Sequence, residues 1–311
     1  MKAAFVFPGQ GAQKVGMGRD LFEGSAAARF VFERADAALG ESFCKLLFEG
    51  PQDELTLTAN AQPAILTVSI AALEALREKT DEQPALVAGH SLGEFSALVC
   101  AGALSFEDAV RTTRARGNFM QDAVPPGEGA MAAVMKAEPD AVESACERAA
   151  EGEVVAPANF NSPGQIVISG HAPAVGRASK LLEADGARVI PLRVSAPFHS
   201  QLMAPAAERL DAFLAELDIK EPRAPVVANV SAEPNSQAGA IRELLVRQVT
   251  SPVRWTESVR NMIAAGIDRF VELGPGTVLA GLIKKIDRNQ QVISAGDGEG
   301  IEKAASFLEG S

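Results

Sequence analysis

The stretch Gly89-His90-Ser91-Leu92-Gly93 decides the fold, because its Gly-x-Ser-x-Gly pattern lies between a predicted strand and a predicted helix. The apolar residues 85–88 precede it, and a helical pattern over residues 94–104 follows it. Glycines at both ends allow a tight turn in which backbone segments approach closely. This context is typical of a nucleophile elbow, which presents a serine hydroxyl at the head of a helix. A glycine-rich turn without chemistry is the alternative, and the flanking strand and helix favour the elbow.

Predicted strands and helices alternate along most of the chain, which is typical of a mostly parallel sheet covered by helices on both faces. The predicted strands are residues 3–7, 85–88, 226–230, 269–273 and 291–294. The predicted helices are residues 25–39, 64–76, 94–104, 106–121, 202–217, a helix ending at 249, 255–265 and 277–286. The helix over 64–76 is apolar on all sides, so we expect it to be buried. The pattern predicts an α/β-hydrolase-like large domain over residues 1–125 and 197–311.

Residues 126–196 have a different pattern and follow a linker signal, Val124-Pro125-Pro126-Gly127-Glu128-Gly129. The predicted strands are 130–135, 154–159, 165–169 and 188–194, and the predicted helices are 139–150 and 173–184. This β-α-β-β-α-β order is that of a ferredoxin-like unit. The sequence therefore predicts a small ferredoxin-like domain inserted into the larger one.

The composition excludes several classes of protein. A net charge of −11 over 311 residues argues against nucleic-acid binding, since such proteins usually carry a basic surface. Three cysteines without a CxxC pair and three histidines offer no metal-ligand spacing, and Cys100 is expected to be a buried thiol. The N-terminal apolar run is too short for a signal peptide, and no apolar run reaches the length of a membrane span. We therefore expect a cytoplasmic protein without metal.

The serine needs a base, and the three histidines are the candidates. His90 adjoins Ser91, and the side chain before the nucleophile of a sharp elbow usually points elsewhere. His171 follows a glycine and begins a predicted helix, which favours the surface. His199 lies where the chain returns from the inserted segment and is expected to face the cleft between domains, so we predict it as the base. No carboxylate is suitably placed, and a main-chain carbonyl or an amide could orient the imidazole instead.

Arg116 borders the face that the helix over 106–121 is predicted to bury, whereas Arg111 points nearly away from it. An arginine at such a border can reach inward and bind a carboxylate through two hydrogen bonds. From spacing alone, a solvated arginine is the favoured interpretation. The pattern thus leaves open whether Arg116 serves the site.

Eight short motifs occur in the order in which one family has them. They are FPGQG at 7–11, QP at 62–63, GHSLGE at 89–94, RG at 116–117, NFNSPGQ at 159–165, FHS at 198–200, VRQ at 246–248 and ELGPG at 272–276. The chain resembles the malonyl-CoA:acyl-carrier-protein transacylases of type II fatty-acid synthesis over nearly its full length. Each motif alone is modest, but eight in the right order are very specific.

The resemblance implies a role for each matching residue. Ser91 attacks the malonyl thioester and carries the acyl group, and His199 acts as general base and then as acid. The backbone N–H groups of Gln10 and Leu92 form the oxyanion hole, and Arg116 pairs with the malonyl carboxylate.

Further residues follow from the same resemblance. The main-chain carbonyl of Gln248 orients the histidine, which explains the missing acid, and Gln62 and Asn161 line the pocket. Phe198 is the form associated with malonyl rather than methylmalonyl units.

The resemblance also implies the substrates and partners. The acyl donor is malonyl-CoA, and the acceptor is the phosphopantetheine thiol of an acyl carrier protein. The enzyme is expected to act as a monomer, in the cytoplasm, without a bound cofactor. Because the carrier is acidic, we expect a local basic surface, and clustering suggests Arg254, Lys284, Lys285 and Arg288. A solvated helix face is the favoured interpretation of each of these residues taken singly.

Two other functions remain open at this point. A serine esterase or thioesterase could carry the same elbow, and a non-catalytic scaffold could retain the same fold. Arg116 and the motif order argue against the first, and the presence of both Ser91 and His199 argues against the second. The turn Gly274-Pro275-Gly276 could be taken for a phosphate loop, but it lacks the Lys-Ser/Thr of such loops.

Overall fold

The strands form two sheets in the computed structural model, which describes residues 2–192, 194 and 196–310. The strands are β1 (Ala3–Phe7), β2 (Leu86–Gly89), β3 (Gly129–Met135), β4 (Val155–Ser162), β5 (Gln165–His171), β6 (Arg188–Pro191), β7 (Val226–Val227), β8 (Pro234–Asn235), β9 (Arg269–Leu273) and β10 (Gln291–Ala295). The helices are α1 (Arg19–Gly24), α2 (Ala26–Leu39), α3 (Phe43–Glu49), α4 (Gln52–Thr56), α5 (Thr58–Arg77), α6 (Gly93–Cys100), α7 (Phe106–Asp122), α8 (Pro139–Ala150), α9 (Ala172–Ala184), α10 (Ala204–Leu214), α11 (Ala238–Thr250), α12 (Trp255–Ala264), α13 (Val278–Ile286) and α14 (Gly298–Glu309).

The larger sheet has the strand order β10-β9-β1-β2-β7-β8, and its pairings are parallel except that of β7 with β8. Alternate residues of β1 face opposite sides of the sheet. Phe5 and Phe7 join one hydrophobic cluster, whereas Ala4 and Val6 join another. Because both faces are covered, β1 is a continuous apolar run. The predicted α/β fold with a mostly parallel sheet is confirmed.

Helix α5 lies at the centre of the larger core and packs against α2 and α7. Its predicted burial is confirmed. Among the described residues it is the one helix long and apolar enough to cross a membrane, and 89% of its apolar window is buried inside the protein. This burial identifies α5 as a core helix.

The smaller sheet is antiparallel, with the order β4-β5-β3-β6. Its elements follow one another as β3-α8-β4-β5-α9-β6, the order that the sequence predicts. Helices α8 and α9 bury a separate cluster against the sheet, which includes Val134, Ile166 and Ile168.

Strand β4 is hydrogen-bonded to the segment between α11 and α12. The N–H of Phe160 donates to the carbonyl of Val253 at 2.9 Å, and the N–H of Val253 donates to Ala158 at 2.9 Å. The chain entering the smaller sheet at Gly129 passes close to the chain leaving it at Pro197. A Cβ on Gly129 would overlap the ring of Pro197. These contacts hold the smaller sheet against the segment around Val253.

Several predicted boundaries are wrong. Helix α5 begins at Thr58 and not at residue 64. Proline favours the first helical turn, so the sequence predicts a start beside Pro63, but Pro63 lies inside the helix. Helix α6 ends at Cys100, before Gly102, whose φ of +74° does not continue a helix. Strand β7 has two residues where five were predicted, and α10 spans fewer residues than 202–217. The strand predicted over 188–194 ends at Pro191, and part of that range lies outside the described residues.

Candidate active site

Ser91 lies at the carboxyl end of β2 and lines a cavity of about 450 Å³. Its φ is +50°, a left-handed conformation that a serine adopts only under constraint from its surroundings. The two elbow glycines supply that constraint. A Cβ on Gly89 would overlap the main chain of Gly93, and a Cβ on Gly93 would overlap the carbonyl oxygen of Phe7. The glycine spacing is thus required by close packing of the turn against β1.

Gly93→Ala is expected to lower the free energy of unfolding by about 3 kcal/mol or more, because the added methyl group meets rigid main chain. Urea denaturation measures this change. Gly176→Ala is the matched control, since nothing lies within 4 Å of a Cβ there in α9. The control should raise stability by about 0.5–1 kcal/mol. Equal stability of the two variants would contradict this description of the turn.

The structure brings His199 to Ser91. The distance between Ser91 Oγ and His199 Nε2 is 2.8 Å, and His199 Nδ1 lies 2.8 Å from the carbonyl oxygen of Gln248 and 3.2 Å from that of Ser251. Because carbonyls only accept, Nδ1 carries the proton and Nε2 is left to accept from the serine hydroxyl. His199 itself has a φ of +58°. A main-chain carbonyl therefore occupies the position that a carboxylate holds in a Ser-His-Asp triad.

His199 is 4% exposed, and burial followed by the nearby Arg116 guanidinium lowers its pKa to about 3. The neutral imidazole, which is the form able to accept a proton, is thus the populated form throughout the neutral range.

We expect the ring signals of His199 to stay in the neutral form when the pH is lowered from about 8 to about 5, whereas an ordinary histidine titrates near 6.5. Carbon-edited NMR of protein labelled at histidine measures this. The chain has three histidines, so single replacements assign each signal. A His199 signal that titrates near 6.5 would contradict the lowered pKa.

Arg116 is 1% exposed and lies beside the serine, so the solvated interpretation that spacing favoured is wrong. Its Nη1 donates to Gln62 Oε1 at 2.7 Å, and its Nη2 donates to Gln248 Oε1 at 2.9 Å and to Ser91 Oγ at 3.3 Å. Helix α7 can pack this closely against α5 because residue 117 is a glycine. A Cβ on Gly117 would lie 2.6 Å from the Cα of Ala59 in α5. The structure thus brings the predicted residues Arg116, Gln62 and Gln248 together.

The guanidinium keeps donors free for a ligand. Arg116 Nε is buried and has no hydrogen-bond partner among the residues that the structure describes. Burial lowers the Arg116 pKa to about 10, and the carboxylate of Glu94 opposes that effect, so the side chain is a cation at neutral pH. A buried cation with an unpaired donor at the wall of a cavity suits a small carboxylate.

Gln10 and Leu92 both line the cavity beside Ser91. Neither backbone N–H donates to a protein acceptor within residues 2–192, 194 and 196–310. The loop that carries Gln10 is held against the elbow, because a Cβ on Gly9 would lie 2.5 Å from the carbonyl oxygen of His90. Two N–H groups without partners beside a nucleophile suit an oxyanion.

Asn161 is placed differently from the expectation that it lines the pocket. Its Oδ1 lies 2.8 Å from His90 Nε2, and the ring of His90 packs on Trp255 with centroids 5.7 Å apart. His90 and Asn159 border the cavity instead. Asn161 therefore contacts a residue of the cavity wall, His90, and is not itself part of that wall.

Two residues that the sequence analysis did not assign to the site contact it. Asn229 Oδ1 accepts from the N–H of Ser91 at 2.7 Å, and Glu94 accepts from the N–H of Asn229 and from the Gln248 amide. The position of Glu94 directly after the elbow could have indicated from the sequence that it contacts the site. Asn229 lies 138 residues from Ser91 and has no such signal.

The turn Gly274-Pro275-Gly276 precedes α13, whose first N–H groups already have an acceptor. Glu272 accepts from the N–H of Leu279 and of Ala280, both at 2.9 Å. This carboxylate occupies the helix terminus that a phosphate loop would offer. Among the described residues, no group of three His, Cys, Asp or Glu could hold a metal ion.

A serine that follows the carboxyl end of a parallel strand and is hydrogen-bonded to a buried imidazole is typical of enzymes that carry an acyl group on the serine. Residues 4–297 match the family described as acyl transferase domain. The malonyl CoA-acyl carrier protein transacylase of Bacillus subtilis (strain 168) is 52% identical over 310 residues, 99% of this chain and 98% of that protein. The chain therefore belongs to the malonyl CoA-acyl carrier protein transacylase family.

Solved structures agree with this assignment. The malonyl CoA-acyl carrier protein transacylase from Coxiella burnetii has a TM-score of 0.97 and 43% identity, and covers 99% of this chain and 98% of its own. A malonyl-transacylase in complex with its type II PKS acyl-carrier protein has a TM-score of 0.96 and 42% identity, with both chains fully covered.

Proposed function

We propose that this enzyme transfers a malonyl group from malonyl-CoA to the phosphopantetheine thiol of an acyl carrier protein, and so supplies fatty-acid chain elongation. The relatives named above support the donor and the acceptor. The observation that carries the proposal is the buried Arg116 guanidinium, which donates to the same hydroxyl that bonds to His199. A cation at that position selects an acyl group that ends in a carboxylate.

In the first half-reaction, Ser91 Oγ attacks the thioester carbonyl and His199 Nε2 takes its proton. The bond to the coenzyme A sulfur then breaks, and His199 returns the proton to the leaving thiolate. The products are malonyl-Ser91 and free coenzyme A, so the step is balanced without a cofactor. The carbonyl of Gln248 stabilises the imidazolium through Nδ1.

The N–H groups of Gln10 and Leu92 would stabilise the negative charge on the carbonyl oxygen in the transition state. One such donor contributes about 3–4 kcal/mol in comparable enzymes. Because α6 begins directly after Leu92, the positive end of its dipole adds to this effect.

In the second half-reaction, the phosphopantetheine thiol gives its proton to His199 and attacks malonyl-Ser91. The bond between the acyl carbon and Ser91 Oγ then breaks, and His199 returns the proton to the serine oxygen. Transfer must compete with hydrolysis, so water must be excluded or misaligned while the acyl-enzyme waits. Arg116, held by Gln62 and Gln248, would fix the malonyl carboxylate and orient the ester toward the entering thiol.

The domain division is part of the same proposal. Residues 1–125 and 197–311 form the α/β-hydrolase-like domain, and residues 126–196 form a ferredoxin-like insert. The element order and the strand order of the smaller sheet support the insert. The cavity has residues of both parts in its wall, among them Ser91 of the larger part and Met131 and Asn159 of the smaller one. Substrate would thus bind between the two domains.

We infer that the acidic carrier protein docks on the basic residues of α12 and α13. Arg254 is the residue directly before α12, and Lys284 and Lys285 lie in the last turn of α13, which packs against α12. Arg254 adjoins the site, because its N–H donates to the carbonyl of Asn229. The cytoplasm suits the three cysteines, which are unpaired and buried.

Initial-rate kinetics test the proposed function. If malonyl-Ser91 forms before the carrier binds, double-reciprocal plots against malonyl-CoA at several fixed carrier concentrations are parallel. Intersecting lines would mean that both substrates must bind before transfer, which would contradict the covalent intermediate.

A further inference from the structure

Glu94 contacts Asn229 and Gln248, which in turn contact Ser91 and Arg116, and it has no part in the steps above. It is 3% exposed, in the first turn of α6. Its Oε2 accepts two hydrogen bonds, one from the N–H of Asn229 at 3.0 Å and one from Gln248 Nε2 at 2.8 Å. Both partners are at most 1% exposed, so the three residues form a buried polar cluster.

The cluster fixes which way the Gln248 amide points. Its Nε2 donates to Glu94 Oε2 and, at 3.0 Å, to the carbonyl oxygen of Ser91. The opposite atom, Oε1, is thereby turned to Arg116 Nη2 at 2.9 Å. Because an arginine only donates, the reversed amide would place two donors against each other. Glu94 therefore determines how Arg116 is held.

The same carboxylate holds the loop that clamps the elbow. Asn229 Oδ1 accepts from the N–H of Ser91, and its Nδ2 donates to the carbonyl oxygen of Gly89 at 2.6 Å. These two bonds hold the main chain on both sides of His90, directly before Ser91 with its left-handed φ. Glu94 Oε2 thus connects the Ser91 turn to the support of Arg116.

We propose that Glu94 is a positioning residue whose Oε2 ties Asn229 to the Gln248 amide, and so holds Arg116 and Ser91 in the geometry that selects carboxylate-bearing acyl groups. The inference rests on the function proposed above. It assigns the effect to the reach and accepting capacity of one oxygen, not to the negative charge.

Reach and charge can be separated by two mild substitutions. Glu94→Gln removes the charge but keeps the length, and the fixed N–H of Asn229 selects the amide oxygen for the Oε2 position. Glu94→Asp keeps the charge but withdraws the oxygen by about 1.5 Å, one C–C bond. Burial raises the Glu94 pKa to about 7, so a neutral side chain is already close in energy there.

The measurement is the ratio of kcat/KM for malonyl-CoA to that for acetyl-CoA. Glu94→Asp should lower this ratio about tenfold, equivalent to about 1.4 kcal/mol, whereas Glu94→Gln should stay within about twofold of wild type. Glu272→Asp is the matched control, because it shortens a buried carboxylate that holds α13. The control should leave the ratio unchanged even where it lowers stability.

A double-mutant cycle separates positioning from a general loss of structure. In an Arg116→Ala background, Glu94→Asp should leave the ratio unchanged, because its effect passes through Arg116. The same tenfold loss in both backgrounds would contradict the proposal, as would a wild-type ratio in Glu94→Asp. A tenfold loss of the ratio in Glu94→Gln would assign the effect to the negative charge and would contradict the proposal. This result can be obtained even if Glu94→Asp does not fold.

Failure of the proposed function gives a different result. A wild-type enzyme that places no malonyl on Ser91 would overturn the function itself. A wild type that does so, with both Glu94 variants at the wild-type ratio, would overturn this inference alone.

Discussion

Ser91→Ala abolishes formation of the acyl-enzyme and lowers transfer to the carrier by about 10⁴-fold or more in our account. The reason is geometric, since Ser91 Oγ is the hydroxyl that lies 2.8 Å from His199 Nε2, in the wall of the same cavity as Gln10 and Leu92. Without it, His199 has no bound nucleophile to deprotonate. Transfer assays with a labelled malonyl group, together with intact mass, measure both effects.

The control for this prediction is Ser96→Ala. Ser96 lies in the same helix α6 and is buried, and its hydroxyl has no hydrogen-bond partner among the described residues. Its removal should leave the acyl-enzyme and the rate close to wild type. A Ser91→Ala protein that still carries a malonyl group would show that another residue is the nucleophile.

Arg116→Ala is expected to lower kcat/KM for malonyl-CoA by about 10²–10³-fold, equivalent to about 3–4 kcal/mol. The malonyl carboxylate would then enter a buried site without its partner, and an uncompensated buried charge is costly. Acetyl-CoA carries no carboxylate, so its transfer should fall far less and the selectivity should be lost. Parallel kinetics with both donors measure the change.

Arg111→Ala is the matched control, because Arg111 lies on the same helix and forms an exposed ion pair with Asp108. Exposed pairs contribute little, so both rate and selectivity should remain. An unchanged malonyl-to-acetyl ratio in Arg116→Ala would show that the guanidinium does not bind the carboxylate.

The elbow and the sheet around it could be predicted because their causes are local. The apolar strands that alternate with helices and the Gly-x-Ser-x-Gly turn each depend on neighbours within a few residues. The choice of His199 was also within reach, since only three histidines compete.

The depth of Arg116 could not be predicted from the period of α7. Its burial depends on the approach of α5 at Gly117 and on acceptors 54 and 132 positions away in Gln62 and Gln248. The same holds for Asn229, which lies 138 residues from the serine that it clamps. Bonds of this range follow from the packed fold and leave no periodic signal in the chain.

The short helices α1, α3 and α4 escaped prediction for another reason. Each has at most seven residues, too few to show a helical period, and they depend on packing against longer elements. Helix α14 begins with two glycines within its first three residues, which hides it although Asp297 caps it at Gly300.

Intact-mass spectrometry in two steps tests the central claim most directly. The enzyme is mixed with malonyl-CoA, the adduct is located by peptide mapping, and carrier protein with its phosphopantetheine thiol is then added. Our account predicts one malonyl group on Ser91 that moves to the carrier faster than it is lost to water. An adduct that only hydrolyses would indicate a thioesterase, and the absence of any adduct would contradict covalent transfer altogether.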